Sequence, residues 1–177
     1  MFSDPEKNIE QFSLGKGMYV ADFGAGSGFY SFAAAKEVGE TGKVYAVDVQ
    51  KDLLEKLKNE ARKMRHLANI EIIWADIEHL GGTRLREGSM DAVIAANIFF
   101  QIENKDGACM EIRRILKNNG RALVVDWSAS FNNMGPHADH VFSKDAAMKL
   151  FEKHGFTLDR EIVASGAQHY GIIFRKK

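Results

Sequence analysis

Short, continuous apolar runs alternate along this chain with longer stretches whose apolar residues recur every three or four positions. The runs are MYVADFG (18–24), KVYAVDV (43–49), NIEIIWAD (69–76), SMDAVIAAN (89–97) and GRALVVDW (120–127). They are near-continuous apolar runs rather than apolar at every second residue, so they read as strands covered on both faces of a sheet. SGFYSFAAAKEVG (27–39) reads as a helix stopped by Gly39. The stretch 51–67 places Leu54, Leu57, Ala61 and Met64 on one helical face. A further helix is expected around 105–117, with Asn119-Gly120 as its stop. Asp4-Pro5 has the form of an N-cap followed by proline at the first helical position, with Ile9 and Phe12 on one face of a short helix. Ser143 reads as the N-cap of a helix ending at His154-Gly155. The tail FTLDREIVASGAQHYGIIFRKK gives two strands about a turn near Ser165-Gly166, a connection so short that the pair must be antiparallel. Strands alternating with helices predict a doubly wound α/β fold with a mostly parallel sheet. One domain is expected over 1–177, in which 1–16 is a short N-terminal helical segment.

Composition narrows the function classes. The 24 basic and 24 acidic side chains give zero formal net charge. That balance argues against a sequence-independent nucleic-acid binder, which needs a basic excess to displace counterions. The lone Cys109 excludes an internal disulfide framework and a cysteine-rich zinc site. No apolar run approaches the roughly 18–20 residues that span a bilayer. The start, MFSDPEKNIEQF, lacks the apolar stretch of a signal peptide, and a cytoplasmic protein is expected.

The chemistry concentrates where the first strand ends, in D-F-G-A-G-S-G (22–28). In an open parallel sheet, ligands lie at the carboxyl edge of the strands. Glycines there let the backbone pass close to a ligand, and the helix that follows offers free N–H groups. A nucleotide-type cofactor and a plain tight turn both fit such a segment. The spacing G-x-G-x-G puts Phe29 where a dinucleotide fingerprint has its third glycine. No Gly-Lys-Ser/Thr follows, which excludes a Walker A loop. Asp48, ending the second strand, is placed to hold a ribose; its alternative role is to cap the helix beginning at Lys51. Asp76, ending the third strand, faces the same choice between an adenine amino group and a cap.

Taken in order, these segments resemble class I S-adenosylmethionine-dependent methyltransferases. V-A-D-F-G-A-G-S-G (20–28) resembles the first motif of that family and V-Y-A-V-D-V (44–49) the second. W-A-D-I (74–77) resembles the adenine-contacting segment. M-D-A-V-I-A-A-N (90–97) and R-I-L-K-N-N-G-R-A-L-V-V-D-W (114–127) resemble the fourth and fifth motifs. The likeness runs from about Gly17 to Phe174 and has the flavour of small-molecule enzymes such as those of quinone biosynthesis. It implies a Rossmann-like three-layer sandwich whose seven-stranded sheet has an antiparallel last strand. It implies S-adenosylmethionine as cofactor and S-adenosylhomocysteine as product.

By the same resemblance, Asp22 faces the methionine amino group, and Phe23, Gly24, Ala25, Gly26 and Gly28 run beside the cofactor. Phe29, Tyr30, Val49, Ile77 and Asn97 complete that set, with Asp48 on the ribose and Asp76 on adenine. Phe99, Phe100, Asp126, Trp127 and Phe131 are candidate acceptor contacts. Few residues precede the first motif, so the segments 98–104 and 127–142 are expected as the main acceptor walls. His137, His140 and His169 are candidate general bases, needed only if the acceptor arrives protonated. Their H-x-x-H spacing with a distant third partner is weak as a metal signature, and no metal is expected.

Several subclasses lose support. Asn97-Ile98-Phe99-Phe100 lacks the prolines of nucleobase N-methylating enzymes. Cys109 lies within a predicted helix, away from the position of an RNA C5-methylating nucleophile, and one thiol is too few for arsenic methylation. The expected function is methyl transfer to a small, apolar or aromatic acceptor. The alternatives are a catalytically silent cofactor-binding module, a nicotinamide-dependent oxidoreductase, and a protein or RNA methyltransferase.

Overall fold

The computed structural model describes residues 4–64, 67–130, 135–164 and 168–177. The chain opens with helix α1 (Pro5–Phe12), capped by the Asp4 carboxylate, which accepts from the Lys7 N–H at 3.3 Å. It continues through β1 (Tyr19–Phe23), α2 (Phe29–Val38), β2 (Lys43–Asp48), α3 (Lys51–Lys63) and β3 (Ile70–Trp74). Then come β4 (Met90–Ala96), α4 (Lys105–Ile115), β5 (Leu116–Trp127), a short 3-10 helix (Ala138–His140), α5 (Lys144–Lys153), β6 (Phe156–Ile162) and β7 (His169–Lys176).

The strands form one seven-stranded sheet in the order β3-β2-β1-β4-β5-β7-β6. Strands β1 to β5 pair in parallel, and β7 is antiparallel to both β5 and β6. The seven strands and the inserted antiparallel last strand match the expected topology. Helices cover both faces. Val20, Val44, Ile94 and Val125 pack beneath α1 and α2 on one face. Ala21, Val47, Val93 and Val124 pack beneath α4 and α5 on the other. Strand order reverses between β1 and β4, so their carboxyl ends diverge and open a crevice.

Some boundaries depart from expectation. Helix α4 stops at Ile115, and Leu116 is already extended, buried and paired with Met90. The register then jumps from Met90↔Leu116 to Ala92↔Arg121, so Asn119-Gly120 lies in a bulge of β5 rather than at a helix stop. Strand β3 ends at Trp74, because Asp76 turns the backbone by accepting the Glu78 N–H at 2.8 Å. Helix α3 ends at Lys63, short of the expected limit. The expected turn at Ser165-Gly166 and the candidate Phe131 lie outside the described residues. Among the described residues, no helix is long and apolar enough to cross a membrane.

Candidate functional site

The turn after β1 is tied to β2: the N–H groups of Gly24 and Ala25 both donate to the Val47 carbonyl, at 2.9 and 3.1 Å. Its three glycines all take positive φ, but they serve different ends. A Cβ on Gly24 would stand 2.7 Å from Ile98 Cδ1, and one on Gly28 would stand 2.6 Å from Leu57 Cγ. Those two positions are closed by packing. A Cβ on Gly26 would meet only the Gly24 carbonyl oxygen, at 3.9 Å, so its space belongs to the crevice. Helix α2 begins directly after Gly28 with no side-chain cap, which leaves its first N–H groups available to a ligand.

Two chambers meet at this turn. One encloses about 430 Å³ and is lined by Gly26, Asp48, Val49, Leu53, Asp76 and Ile77. The other encloses about 470 Å³ and is lined by Asp22, Phe29, Tyr30, Phe100, Trp127 and His169. Gly24, Ala96, Asn97 and Gln101 line both. Among the described residues no lysine or arginine lines either chamber, whereas Asp22, Asp48, Asp76 and Glu78 do. This lining suits a cofactor with a positive centre and an unphosphorylated nucleoside. It offers no cation to a pyrophosphate.

Individual side chains are held in defined states. Asp48 is buried; its Oδ2 accepts from the Gly26 N–H at 2.9 Å and its Oδ1 from the Gln50 N–H at 2.8 Å. Gln50 is the N-cap residue of α3, so Asp48 braces the loop ahead of that helix without being its cap. Asp22 is buried and accepts from the Ser31 hydroxyl at 2.6 Å. Burial pushes its pKa up to about 7, against the Ser31 hydrogen bond and with help from the Asp48 charge. Asn97 is held at φ 56°, with its Oδ1 shielded and, among the described residues, without a hydrogen-bond partner. Its main-chain carbonyl accepts from Gln101 Nε2 at 3.0 Å. The segment after β3, which carries Asp76 and Ile77, is fastened to α4. There the buried Glu111 carboxylate accepts from the Gly81 and Thr83 N–H groups, the Thr83 hydroxyl and Arg114.

Several candidates sit differently from expectation. Phe99 has 0% exposure and stacks on Phe142 at 5.1 Å between ring centres, so it is core and not an acceptor wall. The Phe23 side chain is likewise core, and only its backbone borders the turn. Asp126 is fully buried; it accepts from the Trp127 N–H at 2.8 Å and the Phe100 N–H at 3.3 Å, and so shapes the wall from behind. His137 and His140 are exposed and line neither chamber, with His137 beside Asp139 at 3.5 Å. Phe100, Trp127 and His169 do line the second chamber, and His169 lies against the Trp127 ring at 4.2 Å. Cys109 is buried, and burial raises its thiol pKa, in keeping with an inert core residue. Sequence reading missed Ser31, Leu53 and Gln101. A residue four positions beyond Asn97 on a helical turn was the available signal for Gln101.

Residues 14–161 match the family described as a methyltransferase domain. The chain belongs to that family. It is 32% identical over 113 residues to a ubiquinone/menaquinone biosynthesis C-methyltransferase from Haemophilus ducreyi, covering 64% of this chain and 42% of that protein. The chain thus spans about half the length or less of curated relatives of this kind. A solved S-adenosylmethionine-dependent methyltransferase from Aquifex aeolicus superposes with a TM-score of 0.88 at 28% identity, covering 99% of this chain and 90% of that one. A putative type 11 methyltransferase from Sulfolobus solfataricus shares the fold, with a TM-score of 0.80 at 22% identity, covering 100% and 95% of the two chains. The cofactor implied by the family is S-adenosylmethionine.

Proposed function

We propose that this domain transfers a methyl group from S-adenosylmethionine to a small acceptor with an apolar or aromatic face. The observation that carries this reading is the acidic lining of the joined chambers, which present four acidic side chains and, among the described residues, no lysine or arginine around the glycine turn. S-adenosylmethionine supplies, when bound, an electrophilic methyl group on a cationic sulfur. In the first chamber Asp48 holds the ribose hydroxyls, while Asp76 and Ile77 border the adenine. Gly26 leaves room for the cofactor where a side chain would project. Asp22, reached from the second chamber, receives the methionine end. Gly24 and Asn97 line both chambers and so mark the junction where the methyl group meets its acceptor. Phe100 and Trp127 give the second chamber flat apolar walls, which favour a planar acceptor. The chain's contribution to rate is alignment of the acceptor with the methyl group.

The reading is tested by incubating the protein with methyl-labelled S-adenosylmethionine and separate panels of small phenols, amines and thiols, a peptide mixture and RNA. Label is expected in a small aromatic acceptor. Label confined to peptide or RNA would overturn the acceptor class. Cofactor binding with no transfer to any panel would favour a silent binding module.

A further inference from the structure

The two nitrogens of His169 stand in unlike surroundings. Nδ1 is sealed from solvent and has no hydrogen-bond partner among the described residues. His169 is only half-buried and lines the second chamber, which leaves Nε2 as the nitrogen that a ligand can reach. The ring is fixed in this attitude. It lies against Trp127, with ring centres 4.2 Å apart, and sits opposite Trp127 in the β5–β7 register. Trp127 is in turn wedged by Gly135, where a Cβ would come within 2.6 Å of the indole.

A neutral imidazole carries one proton, on either nitrogen. Placing it on Nδ1 would bury an N–H with nothing to accept it, the less tolerated kind of orphan. A histidine that acts as a base has its second nitrogen held by an acceptor, which stabilises the imidazolium as it forms. Among the described residues nothing does this for His169. The nearby carboxylates are engaged elsewhere: Asp22 accepts from Ser31, and Asp126 accepts from the backbone at Phe100 and Trp127. On the neighbouring strand residue, the Tyr170 hydroxyl donates to the Phe142 carbonyl. Burial lowers the proton affinity of His169 further.

We propose that His169 is a neutral hydrogen-bond donor through Nε2–H that recognises an acceptor's oxygen, so that the acceptor class is small aromatic oxyanions or enolates that enter already ionised. This inference rests on the methyltransferase reading for the identity of the second chamber. No proton leaves the acceptor at transfer. A bond forms between its electron-rich atom and the methyl carbon, the carbon–sulfur bond breaks, and that electron pair passes to sulfur. A neutral imidazole is an effective donor to such an oxygen because it loses no proton to it.

Long-range ¹H–¹⁵N spectra of the labelled protein from pH 5.5 to 8 read the tautomer and titration of His169 directly, without any acceptor. The Nε2–H tautomer is expected at neutral pH, with a midpoint below the ordinary histidine value. An Nδ1–H tautomer, or an imidazolium persisting at pH 7, would overturn the proposal whatever the enzyme does. The kinetic arm uses 4-nitrophenol and labelled S-adenosylmethionine. His169→Gln, whose amide N–H can replace the donor, should keep turnover within about tenfold of the parent. His169→Ala should lose about tenfold more than the glutamine variant. Equal loss in both variants, with a parent rate that falls as His169 protonates, would make it a base. Absence of any methyl transfer would count against the methyltransferase reading, and the spectra would still decide the donor assignment.

Discussion

The carboxylate of Asp48 at the end of β2 accepts the N–H of Gly26 in the turn after β1, at 2.9 Å. One side chain therefore shapes the glycine turn and presents its remaining lone pairs to the chamber beside it. Asp48→Ala removes both roles. It should weaken S-adenosylhomocysteine binding by about 1.5–3 kcal/mol, the scale of charged hydrogen bonds, when measured by calorimetry. Unchanged affinity would remove Asp48 from the ribose site.

The three turn glycines should separate in experiment. Gly28→Ala drives a Cβ to within 2.6 Å of Leu57 at φ 87° and should cost about 1–3 kcal/mol of folding stability in urea titrations. Gly26→Ala carries the cost of a positive φ, 52°, but meets nothing closer than 3.9 Å, so its unfolding midpoint should move less. Its cofactor affinity should fall at least about as much as that of Asp48→Ala, since the new methyl group occupies the crevice. Equal stability loss in the two variants would contradict this division of roles.

Phe99 and Phe100 are neighbours with opposite environments. Phe99→Ala empties a site between Phe142 and Phe151 and should destabilise by about 3–5 kcal/mol. Phe100→Ala should cost little stability and instead raise KM for the acceptor. Denaturant titrations paired with steady-state kinetics check both, and a stability loss at Phe100 matching that at Phe99 would refute the assignment.

This pair also marks where the sequence stops being informative. Near-continuous apolar runs alternating with longer amphipathic stretches made the parallel sheet legible, and the short final connection did the same for the antiparallel tail. Asp22, Gly26, Asp48 and Asp76 stand out as candidates in the sequence because they lie at or just beyond the carboxyl ends of β1, β2 and β3, at one edge of the sheet. The walls of the second chamber do not. Two adjacent phenylalanines carry no mark of which one points inward, and that is decided here by the stack with Phe142 from a distant segment. Asp126 read as an acceptor contact because it ends β5, yet the chain returns Phe100 and Trp127 N–H groups to it. The histidines could be sorted only once α5 and β7 were in place, with His169 brought to the chamber and His137 and His140 left on the surface.

Asp126 makes stability depend on pH. Burial pushes its pKa up from 3.8 to about 7, against the hydrogen bonds from Trp127 and Phe100. Between those values the folded state binds more protons than the unfolded state. The stability due to Asp126 is therefore full at the acid end and is lost as pH rises through about 7. Asp126→Asn keeps a hydrogen-bond acceptor and cannot titrate. The stability of the parent relative to this variant should fall between pH 5 and pH 8 in urea titrations. A difference independent of pH would show that Asp126 is ionised throughout.

The most direct test of the account is calorimetry of the unmodified protein with S-adenosylhomocysteine and, separately, NADH. The acidic crevice and the G-x-G-x-G turn predict saturable one-to-one binding of S-adenosylhomocysteine and none of NADH. Binding of NADH without binding of S-adenosylhomocysteine would contradict the cofactor assignment and the methyltransferase reading built on it.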